Sequence, residues 1–310
     1  MKPLKLPWTL RGSDFSLTGW HTEPTAAYQL MFEFLRLSPT YELARKARTK
    51  GLTKAEQAGV PSDFDAVLSI YDLVGDVNEV IFRQWWLSRG LKVFGNPYTK
   101  PKLRELAILQ NGEETSLQLI ARKVQHGLVE QRQAEGLSAA LIVSIPLDLK
   151  RSEILRRIRE LLDKYKDQDL GVAEQPKIKL MGKRFHANAM FKGVRLMWMK
   201  AAKPKWELWR LGAKSDLSSS YSKVLNPLAP RRPNDAVEMD DRIIMSKITF
   251  RALNRFELIA ENAARGRFPC AEPVEMSPFK YEEIAQRLLA HSQWVRKTKA
   301  EWMEKMKAKK

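Results

Sequence analysis

The most informative part of the sequence is residues 176–232, PKIKLMGKRFHANAMFKGVRLMWMKAAKPKWELWRLGAKSDLSSSYSKVLNPLAPRR. Its 57 positions carry 14 Lys and Arg against only Glu207 and Asp216, a net charge of +12. Large aromatic side chains require a hydrophobic core. They are distributed through this stretch at Phe185, Phe191, Trp198, Trp206, Trp209 and Tyr221. We therefore predict a folded basic module and not an unstructured basic tail.

Within the basic module, apolar residues recur at helical spacing. The pattern predicts one helix from Ala187 to Lys200 and a second from Lys205 to Leu211. Gly212 is predicted to break the second helix, and a third begins near Leu217. The order of helix, glycine-containing turn and helix is that of a helix-turn-helix, an order that many helical hairpins share. Residues 177–181 are predicted as a short strand or wing.

The chain before the module is predicted to be helical and rich in aromatic residues. Apolar stripes predict helices from Thr25 to Leu37 and from Tyr41 to Lys50. Farther on, Trp85 and Trp86 are adjacent in an apolar cluster. Successive residues of a helix point about 100° apart, so the two indoles face different neighbours. Either both are buried between packed helices, or one contacts a second domain or a partner.

The remaining segments complete a mainly α protein with a small β element. The apolar run in residues 139–149 favours a strand, and a helix is predicted over residues 152–165. Residues 226–235, NPLAPRRPND, contain three prolines and two arginines and are predicted to be a linker or an extended arm. Long helices are predicted over residues 240–265 and 281–307.

Charge is distributed unevenly along the 310 residues, whose net charge is +18. Residues 1–136 hold 18 Lys and Arg against 15 Asp and Glu, whereas residues 137–310 hold 36 against 21. Such a surplus favours polyanionic partners. We predict a helical, aromatic-rich interaction or dimerisation domain at 1–136, a basic DNA-binding domain at 137–235 and C-terminal helices at 236–310. The DNA-binding domain is expected to be of the helix-turn-helix or winged type, or a ribbon-helix-helix.

Motifs of catalytic chemistry are missing from the sequence. Gly182 and Lys183 are followed by Arg184 and not by Ser or Thr, so no Walker-type phosphate loop is predicted. The four histidines are dispersed, and a lone Cys270 has no local nucleophile signature. We expect no enzyme, no metal and no cofactor. A nuclease assembled from distant carboxylates is the enzymatic alternative.

The cellular location is predicted from two sequence features. A single cysteine fits a reducing compartment. Residues 1–10 lack a signal-peptide apolar stretch, and no window approaches the roughly 18 to 20 apolar residues of a membrane span. We expect a cytoplasmic protein without a membrane partner.

Four strings resemble those of regulator-type proteins carried by proteobacterial plasmids and integrative elements. They are FEFLRLSPTY (residues 32–41), VIFRQWWLSRGLKVFG (80–95), IPLDLKRSEILRRI (145–158) and ENAARGRFPC (261–270). The resemblance extends to AcaB-like activators of conjugation. It implies a ribbon-helix-helix, a dimer whose paired strands enter the major groove. The ribbon would be residues 141–147, but this run is apolar on both faces, whereas a base-reading ribbon alternates polar residues outward.

The composition and the resemblance together predict a sequence-specific regulator that binds double-stranded DNA as a homodimer, and that contacts RNA polymerase or another regulator. Cations that neutralise phosphates favour affinity for any sequence. Phosphate contacts are predicted for Lys177, Lys179, Lys183, Arg184, Lys192, Arg195, Lys203 and Lys205. Base contacts are predicted for Ser218, Ser219, Ser220, Tyr221 and Lys223. Arg231 and Arg232, flanked by prolines, are predicted to form an arm in the minor groove.

Three alternatives stay open from the sequence. A plasmid replication or partition protein would share the DNA-binding biochemistry and differ in the site bound. An RNA-binding or single-strand-binding protein would stack bases on exposed Phe or Trp side chains. In the third alternative, the basic module is only a solvated basic surface and binds no nucleic acid.

Overall fold

The structure, a computed structural model, is mainly helical. It describes residues 15, 18–95, 105–106, 108, 117–125, 140–166, 168, 176–182 and 185–307. The chain forms two compact units, one of residues 1–93 and 178–310 and the other of residues 94–177. The predicted mainly α class is confirmed.

The predicted small β element is wrong for the described residues, none of which lies in a strand. Residues 140–147 are irregular and exposed, and Leu147 keeps 78% of its surface accessible. In the predicted wing, the Ile178 amide donates to the Val93 carbonyl and the Met181 amide to the Phe268 carbonyl. These are single hydrogen bonds to two different segments, not the ladder that a strand requires. The predicted ribbon, residues 141–147, is therefore not formed as a strand.

Helix α1 is the central helix of the first unit. Every residue of α1 except Tyr28 is buried, as expected for a helix that is enclosed by neighbours. Ser38 ends α1, and its hydroxyl caps the next helix by accepting from the Tyr41 amide at 3.0 Å. The helices of this part are α1 (Ala26–Leu37), α2 (Pro39–Thr49), α3 (Lys54–Gln57) and α4 (Phe64–Val74).

The two adjacent tryptophans lie where an α-helical segment passes through a π turn. Helix α5 (Phe82–Trp85) leads into the π turn Trp86–Gly90 and then into α6 (Leu91–Phe94). The Trp85 indole donates to the Val74 carbonyl at 2.8 Å. The Trp86 ring lies 4.9 Å from that of Tyr28. Both indoles are buried, so the interpretation that both lie between packed helices is confirmed.

The second unit contains two described helices, α7 (Leu117–Gln125) and α8 (Arg151–Asp163). Helix α8 confirms the helix predicted over residues 152–165. On its surface, Glu153 forms ion pairs with Arg156 and Arg157. Leu155 and Leu162 on the same helix remain 55% exposed.

Five helices complete the first unit. They confirm the helices predicted over residues 187–200 and 281–307, whereas those predicted to start at 205, near 217 and at 240 begin at Leu208, Tyr221 and Ala236. Helix α10 packs along α12, while α9 packs against α1, α12 and α13. Asp235 begins α12 by accepting from the Glu238 amide at 2.7 Å, so this helix starts four residues before the predicted position. The five are α9 (Ala187–Ala202), α10 (Leu208–Lys214), α11 (Tyr221–Val224), α12 (Ala236–Ala263) and α13 (Tyr281–Lys307).

Gly212 does not break a helix, as the sequence predicted, but lies inside α10. A Cβ there would stand 2.0 Å from the Thr249 hydroxyl and 2.8 Å from the Met245 sulfur. Glycine therefore allows α10 and α12 to approach closely. Helix α10 ends instead at Lys214, and Asp216, two residues farther on, adopts a left-handed φ of 56°.

Candidate nucleic-acid interface

Trp209 of α10 is the centre of the basic module. Its indole is 5% exposed and packs in a core with Leu225 and Met245. The guanidinium carbons of Arg210 and Arg242 lie 4.5 Å and 4.2 Å from the ring centroid. Cation–π attraction strengthens when the ring is desolvated. Trp209 therefore fixes two guanidinium groups from two different helices.

Two carboxylates hold these guanidinium groups in orientation. Glu207 accepts from Arg210 Nε at 2.9 Å and from the Trp209 indole at 3.2 Å. Glu238 accepts from Arg242 Nε at 3.1 Å. The hydrogen bond from Arg210 lowers the pKa of Glu207. A backbone hydrogen bond from Asn234, together with Arg242, lowers the pKa of Glu238. Both carboxylates therefore stay ionised at neutral pH.

The two arginines hold residues 226–235, the proline loop, through its carbonyl groups. Arg210 Nη1 donates to the carbonyls of Pro227 and Ala229, both at 2.8 Å. Arg242 Nη1 donates to the Arg231 carbonyl at 2.8 Å, and Nη2 donates to that of Pro230 at 3.0 Å. Proline has no N–H with which to form ladder hydrogen bonds. We call Trp209, Arg210, Arg242, Glu207 and Glu238 the arginine clamp, because together they fix this loop.

The clamped loop presents charged and apolar side chains to solvent. Leu228 is 76% exposed. The side chain of Arg231 is 89% exposed, and its Nε lies 3.6 Å from Glu207. Arg232 is exposed and has no ion pair among the described residues. A cavity of about 420 Å³ adjoins the loop and is lined by Lys205, Trp206, Glu207, Arg210, Pro227, Leu228 and Arg231.

Several cations predicted to contact phosphates have partners within the protein. Lys192 forms an ion pair with Asp216 at 3.0 Å. Arg195 Nη2 donates to the Lys214 carbonyl at 3.2 Å, and it therefore helps to satisfy the end of α10. Lys203 lies 5.7 Å over the Trp206 ring. These three cations are therefore less available for phosphate contacts than the sequence suggested.

The other predicted phosphate contacts divide between the two units. Lys179 and Lys205 are exposed in the first unit, whereas Lys177 belongs to the second. Lys183 and Arg184 lie outside the described residues. The structure thus brings Lys205 together with Arg231 at one cavity, and it does not assemble the full predicted set.

The predicted base-reading segment forms a single helical turn. Helix α11 is four residues long. Tyr221 packs against the Trp209 core, and the Ser218 hydroxyl accepts from its amide at 3.5 Å. Ser219, Ser220 and Lys223 are exposed. A helix–turn–helix order is present, but the second helix is too short to lie along a groove.

Sequence reasoning missed the structural role of Arg210 and Arg242. The spacing of Glu238 and Arg242, four residues apart on a helix, is a signal for their ion pair. No sequence signal joins Arg242 to the Pro230 and Arg231 carbonyls. It also missed Lys247, Arg251 and Arg255, three exposed cations at four-residue spacing on α12.

Comparisons with known proteins give no relative: no family model, curated protein or solved structure matches the chain. Among the described residues, no three His, Cys, Asp or Glu side chains come together as a metal site. None of the described helices combines the length and apolar character that crossing a membrane demands.

Proposed function

We propose that this chain is a double-stranded DNA-binding protein that contacts DNA through the clamped proline loop and the cations beside it. The observation that supports the proposal is the arginine clamp. It fixes the backbone of residues 227–231 by four hydrogen bonds, yet Arg231 and Arg232 point to solvent. A rigid loop that presents cations loses little conformational entropy on binding.

The chemistry of the loop suits the minor groove. Arginine side chains enter narrow minor grooves because the negative potential is strongest there. Arg231 and Arg232 supply the guanidinium groups in this proposal. Lys205, which lines the same cavity as Arg231, and Lys223, both exposed, supply phosphate contacts that position the protein without reading sequence.

Sequence-specific regulation is the finer part of the proposal. Ser219 and Ser220 are exposed at the start of α11, where hydroxyl groups can hydrogen-bond base edges. The resemblance to plasmid regulators suggests activation of conjugative-transfer genes. A plasmid replication or partition role would use the same surface. Selection of bound sequences from a random duplex pool tests specificity, and the selected motif then distinguishes a promoter site from an origin site.

Salt dependence of duplex binding is the direct test. The combined variant Lys205→Ala, Arg231→Ala, Arg232→Ala is compared with wild type on a labelled duplex across a salt series. Each phosphate contact contributes about 0.9 to the slope of log K against log salt. The slope is expected to fall by roughly 2 to 3.

The matched control removes the same charge elsewhere in the first unit. Lys50, Lys54 and Lys92 are exposed, and none has an ion pair among the described residues. The triple alanine variant at these positions is expected to keep the wild-type slope within about one contact. Equal losses in both triple variants would contradict the proposal, because net charge and not the loop would then govern binding.

Single-stranded nucleic acid is the second candidate, favoured by Trp206. This indole lines the same cavity as Lys205 and Arg231, an arrangement that lets a base stack while a phosphate is neutralised. Quenching of tryptophan fluorescence by poly-dT, lost in Trp206→Leu and absent with duplex, would support it. Quenching by duplex alone favours the main proposal.

In this proposal the chain binds DNA and catalyses no reaction on it. Plasmid incubated with the protein and magnesium should stay supercoiled. Nicking that a single carboxylate substitution abolishes would contradict this part of the proposal.

A further inference from the structure

Helix α12 has an outer face, opposite the side that packs on the core. Its inner side carries Met245 and Thr249, both fully buried. The outer face is formed by Val237, Asp240, Ile244, Lys247 and Arg251, which recur at alternating spacings of three and four residues. This 3–4 spacing aligns the five residues along one side of the helix, as in a helix–helix seam, with charged side chains at three of the five positions.

Apolar side chains on this face are exposed. Val237 is 69% and Ile244 37% exposed. Beside them, Ile243 is 42% and Phe250 55% exposed. At 100° per residue, Val237 and Ile244 lie on one side of Asp240 and Lys247, and Ile243 and Phe250 lie on the other. The four form an apolar patch that these charges divide, and exposed apolar patches on folded proteins mark interaction sites.

The charges on this face are separated along the helix. Asp240 lies toward the N-terminus, and Lys247 and Arg251 lie toward the C-terminus. All three are exposed, and none has an ion pair among the described residues. A polyanion would be repelled by Asp240 and would leave Val237 and Ile244 in water. The face therefore fits a protein helix better than it fits DNA.

A second copy of the same face, laid antiparallel, is complementary to the first. When Ile243 of one copy lies opposite Ile244 of the other, Asp240 lies opposite Lys247. Twofold symmetry repeats the Asp240–Lys247 contact. In a parallel pair, by contrast, Asp240 would face Asp240 and Lys247 would face Lys247.

We propose that α12 forms the interface of an antiparallel homodimer, through Val237, Asp240, Ile244, Lys247 and Arg251. The face extends about 21 Å along the helix, from residue 237 to residue 251. Burial of the apolar patch supplies the affinity, and the two Asp240–Lys247 pairs select the antiparallel orientation. The proposal is independent of DNA binding, which uses the proline loop.

Charge reversal in the full-length protein tests the interface. Sedimentation equilibrium of the wild type is expected to show a concentration-dependent dimer. Asp240→Lys and Lys247→Asp each place like charges opposite one another and should weaken dimerisation at least tenfold. The double variant Asp240→Lys, Lys247→Asp restores attraction and should recover most of the wild-type affinity. Glu79→Lys, an equal charge change at an exposed position off this face, should have no effect.

Cysteine crosslinking tests the orientation. Ile244→Cys lies beside the twofold axis and should form a disulfide-linked dimer under mild oxidation. Val237→Cys should not, because the two copies of residue 237 are separated by about 13 residues, roughly 20 Å. Cys270 is buried, so it does not compete.

Three outcomes overturn the proposal. One is a wild type that stays monomeric at every concentration. Another is a dimer that ignores both single reversals. The third is crosslinking through Val237→Cys, which would mean a parallel pair. Circular dichroism of each variant establishes that it is folded, so a loss of dimer is not a loss of structure.

Discussion

At the scale of single residues, His291 of α13 links stability to pH. Its Nδ1 is hydrogen-bonded to the Asn78 carbonyl, and its ring stacks on Trp294. Burial, with the nearby positive charge of Arg36, lowers the pKa of His291 to about 4. The unfolded chain, with an ordinary pKa near 6.5, therefore binds more protons than the folded protein between these values.

The predicted consequence is a loss of stability in mild acid. As pH falls from about 6.5 to about 4, the free energy of unfolding should fall by roughly 3 kcal/mol. His291→Gln keeps an N–H donor for Asn78 and cannot titrate, so it should remove most of this pH dependence. Urea unfolding at pH 7 and pH 4.5 measures the change in the free energy of unfolding for the wild type and for His291→Gln. His186→Gln, at an exposed position, should retain the wild-type slope, and equal slopes in both variants would contradict the assignment.

A buried ion-pair network at Arg265 gives the second residue-scale prediction. Arg265 donates to Asp63 at 2.6 and 2.7 Å and to Glu261 at 3.3 Å. Glu261 is fully buried and also accepts from the Ser38 hydroxyl at 2.6 Å. Arg265→Met leaves the Glu261 carboxylate without its cation and should lower the free energy of unfolding by about 3 kcal/mol or more.

An exposed pair of similar geometry is the control for Arg265. Arg48 donates to Asp72 at 2.9 and 2.6 Å, and both side chains are about half exposed. Arg48→Met should cost no more than about 1 kcal/mol, because water screens the pair. Urea midpoints of the two variants give the comparison. If Arg265→Met costs no more than Arg48→Met, the buried network does not stabilise the fold.

At the scale of elements, two glycines set the distance of closest approach between helices. A Cβ on Gly193 of α9 would stand 2.3 Å from the Phe256 ring of α12. At Gly212 of α10 it would stand 2.0 Å from Thr249. Gly193→Ala and Gly212→Ala should each destabilise the protein by about 1–3 kcal/mol through overpacking.

Gly59→Ala is the matched control for the helix-packing glycines. Its nearest neighbours would be backbone carbonyls at 3.7 and 3.8 Å, an ordinary contact distance. Thermal unfolding should place this variant close to wild type. A Gly212→Ala variant as stable as Gly59→Ala would show that α10 can move away from α12 at little cost.

The helices were predictable because their apolar periodicity is local. The helix predicted over residues 281–307 has the observed bounds of α13. Gly212 was misjudged because its local signal, a helix breaker, is the same whether glycine ends a helix or allows another helix to approach. The strand predicted over residues 139–149 is not formed in the described part, residues 140–149. An apolar run shows that side chains are apolar, not that a second strand lies beside them.

At the scale of the whole molecule, the site was predictable in part. Composition located the cations, including Arg231, Arg232 and Lys205. It did not show which of them are used within the fold, because Lys192 and Arg195 find their partners, Asp216 and the Lys214 carbonyl, only where α10 ends. The clamp joins Arg210 to Arg242 across 32 residues of sequence, a pairing set by tertiary packing on Trp209.

Arg242→Gln tests whether the ordering of the proline loop by the clamp contributes to duplex binding, apart from the effect of net charge. Arg242 is buried, so it is not itself a DNA contact in the proposed function. Its loss leaves the Pro230 and Arg231 carbonyls without their donors and should raise amide exchange across residues 226–235. The loop would then have to be ordered on binding, so duplex affinity should fall by about tenfold, which corresponds to 1.4 kcal/mol.

Arg255→Gln is the control, because it removes the same charge at an exposed position without an ion pair among the described residues. It should leave amide exchange in the loop unchanged and should change duplex affinity by no more than about twofold. Faster exchange with unchanged affinity would mean that order in the loop does not contribute to binding, while equal affinity losses in both variants would mean that charge alone does.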